Sequence, residues 1–230
     1  MYMKRALVLT SGGIDSTVVL AQALQENREC FALTFDYCQR HRLELRSAEA
    51  IADHYKVPHK VVKIDPSLFS NSSLTSDIEV VERSRDLNSI ASGGVPSTYV
   101  PGRNTLFIAH AISLAESLEA QEIYLGMNAN DHAPYPDCRP AYVEAYQHLI
   151  NLATKQALEG TAPKLLAPLI YKSKIEIVKL GKSLQIPFEA TLSCYDPGSL
   201  KNHCGTCDAC TIRKNAFLQA DVKDPTLYRV

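Results

Sequence analysis

The sequence predicts an α/β fold in which a parallel sheet carries helices on both faces. Two observations lead to this prediction. Short apolar runs of strand length alternate with longer segments of helical spacing, and this alternation is typical of βαβ units. The runs are almost continuously apolar, as expected for strands that helices cover on both sides. The 230 residues suffice for one large domain, or for one domain with a small appendage.

The first part of the chain supplies three predicted strands and two predicted helices. The strands are residues 4–10, 30–35 and 61–64, and the helices are residues 15–26 and about 40–55. The first strand is an apolar run that stops at two adjacent glycines, and the third follows Pro58. The first helix carries apolar residues at helical spacing, whereas the second is strongly charged. Strand and helix therefore alternate in the order that favours a parallel sheet.

The alternation continues after a long irregular stretch. Between residues 66 and 101, Ser, Asn, Gly and Pro recur without a sustained period, and so long a loop in a compact domain is usually functional or mobile. The later elements are helix 103–118, strand 121–128 and helices 142–158, 173–184 and 211–220. One face of helix 103–118 is apolar, and Ser173 is placed to cap the helix that it begins. We therefore expect a Rossmann-like domain that a short helix closes.

Composition narrows the class of protein. The chain has 24 Lys and Arg against 25 Asp and Glu, a formal net charge of −1, which argues weakly against a general nucleic-acid-binding surface. No apolar stretch approaches the ~20 residues that cross a bilayer. The first residues run into a strand without a signal-peptide pattern. We therefore expect a soluble cytoplasmic protein with no membrane partner and no direct nucleic-acid partner.

The first strand-to-helix junction has the features of a phosphate-binding loop. Backbone N–H groups point outward at such a junction, and the helix dipole favours an anion. Adjacent glycines allow successive amides to curl around that anion. Ser11, Ser16 and Thr17 add hydroxyl groups, and Asp15 is suited to orienting the loop or to helping hold Mg²⁺.

Two other nucleotide-binding motifs are excluded at this junction, and one structural alternative remains. The sequence has neither the G-x-x-x-x-G-K-[ST] pattern of a Walker loop nor G-x-G-x-x-G for a dinucleotide. One alternative stays open, in which Gly12 and Gly13 form only a tight turn while Asp15 or Ser16 caps the helix.

Four of the seven cysteines are spaced like metal ligands near the carboxyl end of the chain. They are Cys194, Cys204, Cys207 and Cys210. Four thiolates suit a tetrahedral Zn²⁺ ion with no open coordination position, and an iron–sulfur cluster is the competing interpretation. We expect residues 1–190 to form the α/β domain that carries the phosphate-binding loop and residues 191–230 to form a four-cysteine zinc-binding segment packed on it.

The loop also resembles a known signature. "SGGIDS" is similar to the S-G-G-x-D-S motif of the PP-loop ATP pyrophosphatases, whose fold is of the adenine-nucleotide alpha-hydrolase type. The resemblance implies that the loop binds ATP and that a carbonyl or carboxylate oxygen is adenylated with release of pyrophosphate. The residues expected to bind ATP are Thr10, Ser11, Gly12, Gly13, Ile14, Asp15, Ser16, Thr17, Val18, Val19 and Leu20.

A more specific resemblance spans residues 5 to about 218. Five segments in order are similar to the 7-cyano-7-deazaguanine synthase family of the queuosine pathway: "SGGIDST", "FDYCQRH", "YVPGRNTLF", "YPDCRP" and "SCY…CGTCDACTIRKNAF". The resemblance implies conversion of 7-carboxy-7-deazaguanine, ammonia and ATP to the 7-cyano base by a homodimer with one structural zinc per subunit. Two places in the sequence depart from the family pattern. One is Cys38, which stands in place of glycine, and the other is the run His132, Ala133 and Pro134.

Several residues are candidates for chemistry beyond the loop. The catalytic candidates are Asp15, Arg103 and Lys174, with Lys172 as the alternative to Lys174. The arginine and the two lysines are chosen because each stands where a loop leads into a predicted helix. The substrate-binding candidates are Asp36, Tyr37, Asp137 and Arg139. Asp36 ends the second strand, where open parallel sheets bind ligands. Asp137 and Arg139 either contact the polar edge of the base or pair with each other.

Two other functions remain as alternatives. A tRNA-thiolating enzyme also uses S-G-G-x-D-S, but it would need a catalytic cysteine pair and an RNA-binding surface. A non-catalytic, zinc-stabilised nucleotide-binding protein would bind ATP without turnover. The residues do not decide between AMP plus pyrophosphate and ADP plus phosphate as products, although the superfamily resemblance favours the first. No glutaminase segment is evident, so ammonia is expected from solution or from a partner enzyme.

Overall fold

Five parallel strands form the centre of the fold in the computed structural model, which describes residues 3–40, 42–69, 72–75, 81–129, 135–198 and 202–229. The strands are β1 Arg5–Leu9, β2 Glu29–Asp36, β3 His59–Lys63, β4 Glu122–Tyr124 and β5 Lys164–Leu166. Their spatial order is β3-β2-β1-β4-β5, and each neighbouring pair is parallel. The sequence predicted the first four, while β5 has only three residues and no distinct apolar run.

Eight α-helices connect and cover the strands in the described part of the chain. They are α1 Ile14–Gln25, α2 Leu43–Tyr55, α3 Leu87–Ser92, α4 Arg103–Ser117, α5 Pro140–Ala153, α6 Lys155–Leu158, α7 Lys174–Ser183 and α8 Asp208–Ala220. Short 3₁₀ turns are present at Pro66–Leu68, Pro136–Cys138 and Phe188–Ala190. None of these helices combines the length and the apolar composition that a membrane-spanning segment needs.

The predicted helix 142–158 is wrong in its continuity. Thr154 has an extended backbone, with φ −107° and ψ 148°, and it separates α5 from α6. Its hydroxyl donates to the carbonyl of Ile150 and accepts from the N–H of Ala157, at 3.0 and 3.1 Å. A threonine hydroxyl that replaces backbone partners in this way favours a new N-cap over a continuous helix.

Both faces of the sheet are covered, as the continuous apolar strands predicted. Ala6 and Val8 of β1 pack into one core with α1, α2, α7 and α8. Leu7, between them, points to the opposite face and packs with α4 and α5. Alternate side chains of a strand point to opposite faces, so each face of β1 contributes to a separate helix layer. The fold is therefore the predicted Rossmann-like α/β architecture.

The stretch between residues 66 and 101 contains more structure than expected. Asp86 accepts a 2.7 Å hydrogen bond from the N–H of Ser89 and thereby caps α3, which spans only six residues. Further along the chain, Arg83 pairs with Asp196 at 2.6 Å. The stretch is thus fastened to the segment that carries the cysteines.

Candidate functional site

A cavity of about 330 Å³ lies at the carboxyl ends of β1, β2 and β4. Thr10 follows β1, Phe35 is the last residue but one of β2, and residues 125–128 follow β4; all of these line the cavity. Open parallel sheets bind ligands at this edge, because the loops and helix N-termini that follow the strands converge there. The topology therefore brings the glycine-rich loop and the first turn of α1 to the cavity wall.

Gly12 allows the loop to approach α2 closely. Its φ of +86° lies in the left-handed region, and a Cβ there would lie 2.5 Å from the carbonyl oxygen of Glu44. The carbonyl of Gly12 accepts a 2.9 Å hydrogen bond from the N–H of Leu192. The loop is thus held from two sides, by α2 and by the segment around Leu192.

The first turn of α1 is open towards the cavity. Gly13 is its N-cap and makes no side-chain capping bond. Instead, the hydroxyls of Ser16 and Thr17 donate to the carbonyl of Gly13, at 3.2 and 2.8 Å. The alternative in which Asp15 or Ser16 caps the helix is therefore wrong. The first N–H groups of a helix have no partner within it, and here the dipole and those groups favour an anion.

Ten of the eleven residues expected to bind ATP separate into two groups, and the eleventh, Gly12, lies in the loop without lining the cavity. Those that line the cavity are Thr10, Ser11, Gly13, Ile14, Asp15 and Ser16. Thr17, Val18, Val19 and Leu20 are fully buried, and the last three belong to the apolar core between α1 and the sheet. These three residues follow the first turn of α1 and do not line the cavity. Their contact with ATP stays a prediction.

Asp15 and Lys174 form an ion pair in the cavity wall. The Nζ of Lys174 lies 2.7 Å from each carboxylate oxygen of Asp15, although 159 residues separate the two. Lys174 is the first residue of α7, which a capping box between Ser173 and Glu176 begins. Both members of the pair line the cavity, whereas Lys172, the alternative candidate, does not. The pair places one cation and one carboxylate beside the N-terminus of α1.

Arg103 lies at another part of the cavity, against aromatic side chains. Its Nη1 donates to the hydroxyl of Tyr37 at 3.3 Å, and its guanidinium carbon lies 6.0 Å from the Tyr37 ring and 5.8 Å from the Phe107 ring. Phe107 in turn stacks on Phe35 with centroids 4.1 Å apart. Burial raises the pKa of Tyr37 to about 12, so this hydroxyl stays protonated at neutral pH.

No carboxylate pairs with Arg103 among the residues that the structure describes. Its Nε atom is buried and has no hydrogen-bond partner. A buried cation without an anion is unfavourable, so this guanidinium is suited to receiving an anionic ligand.

The candidates Asp36, Asp137 and Arg139 are not gathered at the cavity. Asp36 pairs with Arg42 at 2.7 Å and lines a second cavity instead of the main one. Its contact with substrate stays a prediction. Asp137 is buried with one oxygen unpartnered, and burial raises its pKa. Arg139 is exposed and donates to the carbonyl of Pro136 at 3.0 Å. The alternative in which Asp137 and Arg139 pair with each other is therefore wrong, and their contact with the base stays a prediction.

Cys138 and Cys38, which belong neither to the four clustered cysteines nor to a strand of the sheet, line different cavities. Cys138 lines the main cavity, and burial raises the pKa of its thiol to about 11. Cys38 is exposed and lines the second cavity. Its φ of 59° lies in the left-handed region that glycine adopts most easily. The other unusual positions, His132, Ala133 and Pro134, lie outside the described residues.

Several residues that line the cavity were not predicted from the sequence. Glu44 contributes from the first turn of α2, and Gln39 donates to its carboxylate at 2.6 Å. Ser193 contributes from the segment after α7, and Ala209 and Ile212 from α8. The local signal for Glu44 is its place at the start of α2, the helix that follows β2. The other residues have no local signal, because they reach the cavity through tertiary packing.

The four cysteines form one compact cluster. Their sulfur atoms all lie within 4.8 Å of one another, and all four residues are buried. The sulfurs of Cys204 and Cys210 are 3.9 Å apart, close to the roughly 3.8 Å between ligands of a tetrahedral ion with metal–sulfur bonds of ~2.3 Å. The N–H groups of Asp196 and Cys204 point at the sulfur of Cys194, at 3.3 and 3.1 Å. The cluster can hold a metal ion.

The fold and the site define an α/β protein with a cavity at the carboxyl ends of its parallel strands, where a glycine-rich loop precedes the first helix. A family model described as "Queuosine biosynthesis protein QueC" matches residues 5–221. Curated relatives named 7-cyano-7-deazaguanine synthase are similar over nearly the full length of both chains. One from Legionella pneumophila is 45% identical over 99% of this chain and 98% of its own. One from Coxiella burnetii is 45% identical over 98% of each. The chain belongs to the QueC family of queuosine biosynthesis proteins.

Among solved structures, the chain is similar to the U34-tRNA thiolase NcsA from Methanococcus maripaludis with its [4Fe-4S] cluster. The identity is 17% and the TM-score is 0.49, over 96% of this chain and 68% of that one. It is also similar to NMN synthetase from Francisella tularensis, with 16% identity and a TM-score of 0.47, over 96% of this chain and 78% of that one.

Proposed function

We propose that this chain catalyses the ATP-dependent conversion of 7-carboxy-7-deazaguanine and ammonia to 7-cyano-7-deazaguanine. The single observation that carries the proposal is the shape of one cavity. An anion-binding loop and the Asp15–Lys174 pair lie on its wall, and the unpaired Arg103 beside Tyr37 and Phe107 lies on the same wall further along. Such a cavity suits a nucleotide triphosphate next to a flat aromatic acid. The name shared by the relatives supports the same reaction.

The reaction needs two activations, each of which consumes ATP. A carboxylate oxygen first attacks the α-phosphorus, which releases pyrophosphate and forms an acyl adenylate. Ammonia then displaces AMP, loses a proton and leaves the amide. In the second round the amide oxygen is adenylated, again with release of pyrophosphate, and loss of AMP and of both protons of the amide nitrogen gives the nitrile. We infer AMP and pyrophosphate, rather than ADP and phosphate, as the products from ATP.

The residues contribute chiefly by position and charge. The N–H groups at the start of α1, with the Ser11 and Ser16 hydroxyls, bind phosphate oxygens in this scheme. Lys174 neutralises charge on the leaving pyrophosphate, and Asp15 orients that lysine and helps hold Mg²⁺. Arg103 binds the substrate carboxylate and later the oxygen that is adenylated. Tyr37 and Phe107 provide an apolar wall for the flat base.

The metal in this proposal is structural. Four thiolates fill the coordination sphere of a Zn²⁺ ion, and no position is left for substrate. The same cluster chemistry accepts iron–sulfur, so metal content decides between the two. We further infer that the enzyme is a cytoplasmic homodimer, as the family resemblance implies.

The thiolase alternative has less support in the site. It needs two cysteines that act together, but Cys38 and Cys138 line different cavities. The remaining cysteines are buried in the four-sulfur cluster or, for Cys30, in the core.

The deciding experiment supplies purified protein with ATP, Mg²⁺, ammonium and 7-carboxy-7-deazaguanine, and follows base and nucleotide by mass spectrometry. We expect the nitrile base, with two AMP for each nitrile, and loss of both on Asp15→Ala. An exposed acidic residue such as Glu159, changed to Ala, serves as the matched control. Absence of the nitrile from folded, metal-loaded protein would contradict the proposed reaction.

A further inference from the structure

Arg213 is a fully buried cation that the proposed mechanism does not use. It lies on α8 and is only 1% exposed. A buried charge is tolerated when it is paired and its hydrogen-bonding capacity is used. Its guanidinium is paired with Asp224, at 3.1 to 3.2 Å, and lies 5.0 Å from the Phe217 ring. The side chain therefore has a fixed position inside the molecule.

The other acceptors of Arg213 all lie in one short segment after α7. Its Nη1 donates to the hydroxyls of Thr191 and Ser193, at 2.9 and 3.1 Å, and its Nη2 donates to the carbonyl of Phe188 at 3.3 Å. We call residues 188–193 the bridging segment. A planar guanidinium that makes bonds in three directions leaves such a segment little freedom to shift.

The bridging segment in turn holds the phosphate loop. The N–H of Leu192 donates to the carbonyl of Gly12 at 2.9 Å, and the carbonyl of Leu192 lies 3.6 Å from where a Cβ on Gly13 would be. Leu192 and Ser193 also line the main cavity. The loop geometry thus depends on a segment whose own position depends on Arg213.

The four-cysteine cluster secures the same segment from its other end. Cys194 directly follows Ser193, and Cys210 lies on α8 one turn before Arg213. The helix therefore contacts the bridging segment twice, through the cluster and through the guanidinium. Ala209 and Ile212 of α8 line the cavity as well, so any shift of the helix would move two parts of the wall.

We propose that Arg213 is a positioning residue for nucleotide binding, which fixes the bridging segment and through it the phosphate loop. It acts without touching the nucleotide. The inference rests on the proposed function only for the identity of the ligand as ATP.

The test compares Arg213→Met, Arg213→Lys and the control Lys214→Met, which removes a cation from the exposed position next along α8. The dissociation constant for ATP with Mg²⁺ is measured by calorimetry on the metal-loaded proteins, without other substrates. We expect Arg213→Met to weaken ATP binding roughly tenfold, Arg213→Lys to recover part of that loss, and Lys214→Met to leave the constant unchanged. In steady-state turnover by Arg213→Met, we expect the KM for ATP to rise more than the KM for 7-carboxy-7-deazaguanine.

Thr191→Val provides a milder variant should Arg213→Met fail to fold. It removes one acceptor of Arg213, leaves the pair with Asp224 intact, and alters a residue that does not line the cavity. We expect ATP binding roughly two- to threefold weaker. Unchanged ATP affinity in Thr191→Val and Arg213→Lys, whatever the melting temperatures, would overturn the proposal.

These outcomes stay separate from the proposed reaction. ATP affinity is measured without the deazaguanine, so a wild-type protein that makes no nitrile still reports whether Arg213 positions the loop. Conversely, nitrile formation by all variants with unchanged ATP affinity would leave the reaction standing and refute the positioning role.

Discussion

At the scale of single residues, the main feature of the site is an ion pair between two residues that are far apart in the sequence. Lys174 and Asp15 satisfy each other in the cavity wall, with side chains 14% and 17% exposed. Water screens such a pair only in part, so removing one partner leaves an uncompensated charge. Lys174 lines the cavity through this pair with Asp15, which lies in the first turn of α1.

For this reason we expect Lys174→Met to lower kcat/KM roughly 100-fold, the scale for losing one preorganised group that stabilises transition-state charge. The matched control is Lys172→Met, two residues earlier and outside the cavity lining. Steady-state kinetics with varied ATP measures both. Equal losses in the two variants would contradict a specific role for Lys174.

At the scale of elements, α8 and the tail after it are joined by an ion pair. Asp224 accepts from Arg213 at 3.1 Å, from the N–H of Thr226 at 3.0 Å and from the Tyr228 hydroxyl at 2.6 Å. Burial raises the pKa of Asp224, but the Arg213 charge and these hydrogen bonds outweigh it and hold the pKa below its usual value. The pair therefore stabilises the fold at neutral pH.

The sign of its pH dependence follows from that lowered pKa. A carboxyl with a lower pKa in the folded state stabilises above its unfolded pKa of ~3.9, and the contribution is lost as pH falls through the folded value. We expect Asp224→Asn to lower the free energy of unfolding at pH 7 by about 3 kcal/mol. The difference from wild type should shrink below about pH 4.

Urea unfolding of wild type and Asp224→Asn at pH 7, at about pH 4 and at about pH 3 measures this difference. Asp221→Asn, three residues earlier and exposed, is the control. A gap that widens on acidification would show that the sign is wrong.

On the scale of the whole molecule, the cysteine cluster joins segments that are distant in the chain. Arg85, from the stretch before α3, pairs with Asp208 at the start of α8. The cysteines themselves connect the end of the bridging segment to α8. Because cysteines from both segments meet in one cluster, a metal ion bound there would contribute directly to folding free energy.

Metal removal should therefore affect both stability and nucleotide binding. We expect a chelator to lower the melting temperature, to expose four additional thiols to a colorimetric thiol reagent and to weaken ATP binding. Elemental analysis of the untreated protein identifies the metal, and restoring that metal should reverse all three changes. Retained ATP affinity after complete metal loss would contradict the coupling of the cluster to the loop.

Much of the fold was predictable because its signals are local. Apolar runs, helical spacing and the glycine pair lie within short windows, and they predicted four of the five strands and the loop after β1. The elements that were missed are short. β5 spans three residues and α3 six, and at such lengths tertiary contacts outweigh intrinsic propensity.

The sequence by itself determined the parallel α/β class, the glycine-rich loop after β1 and the four clustered cysteines, since each depends on residues close together in the chain. Only the tertiary structure decided that Lys174 meets Asp15, that Asp36 faces another cavity, and that Arg213 holds the segment behind the loop. These relations depend on how helices pack on the sheet. No local pattern encodes that packing, because many side chains from distant segments determine it together.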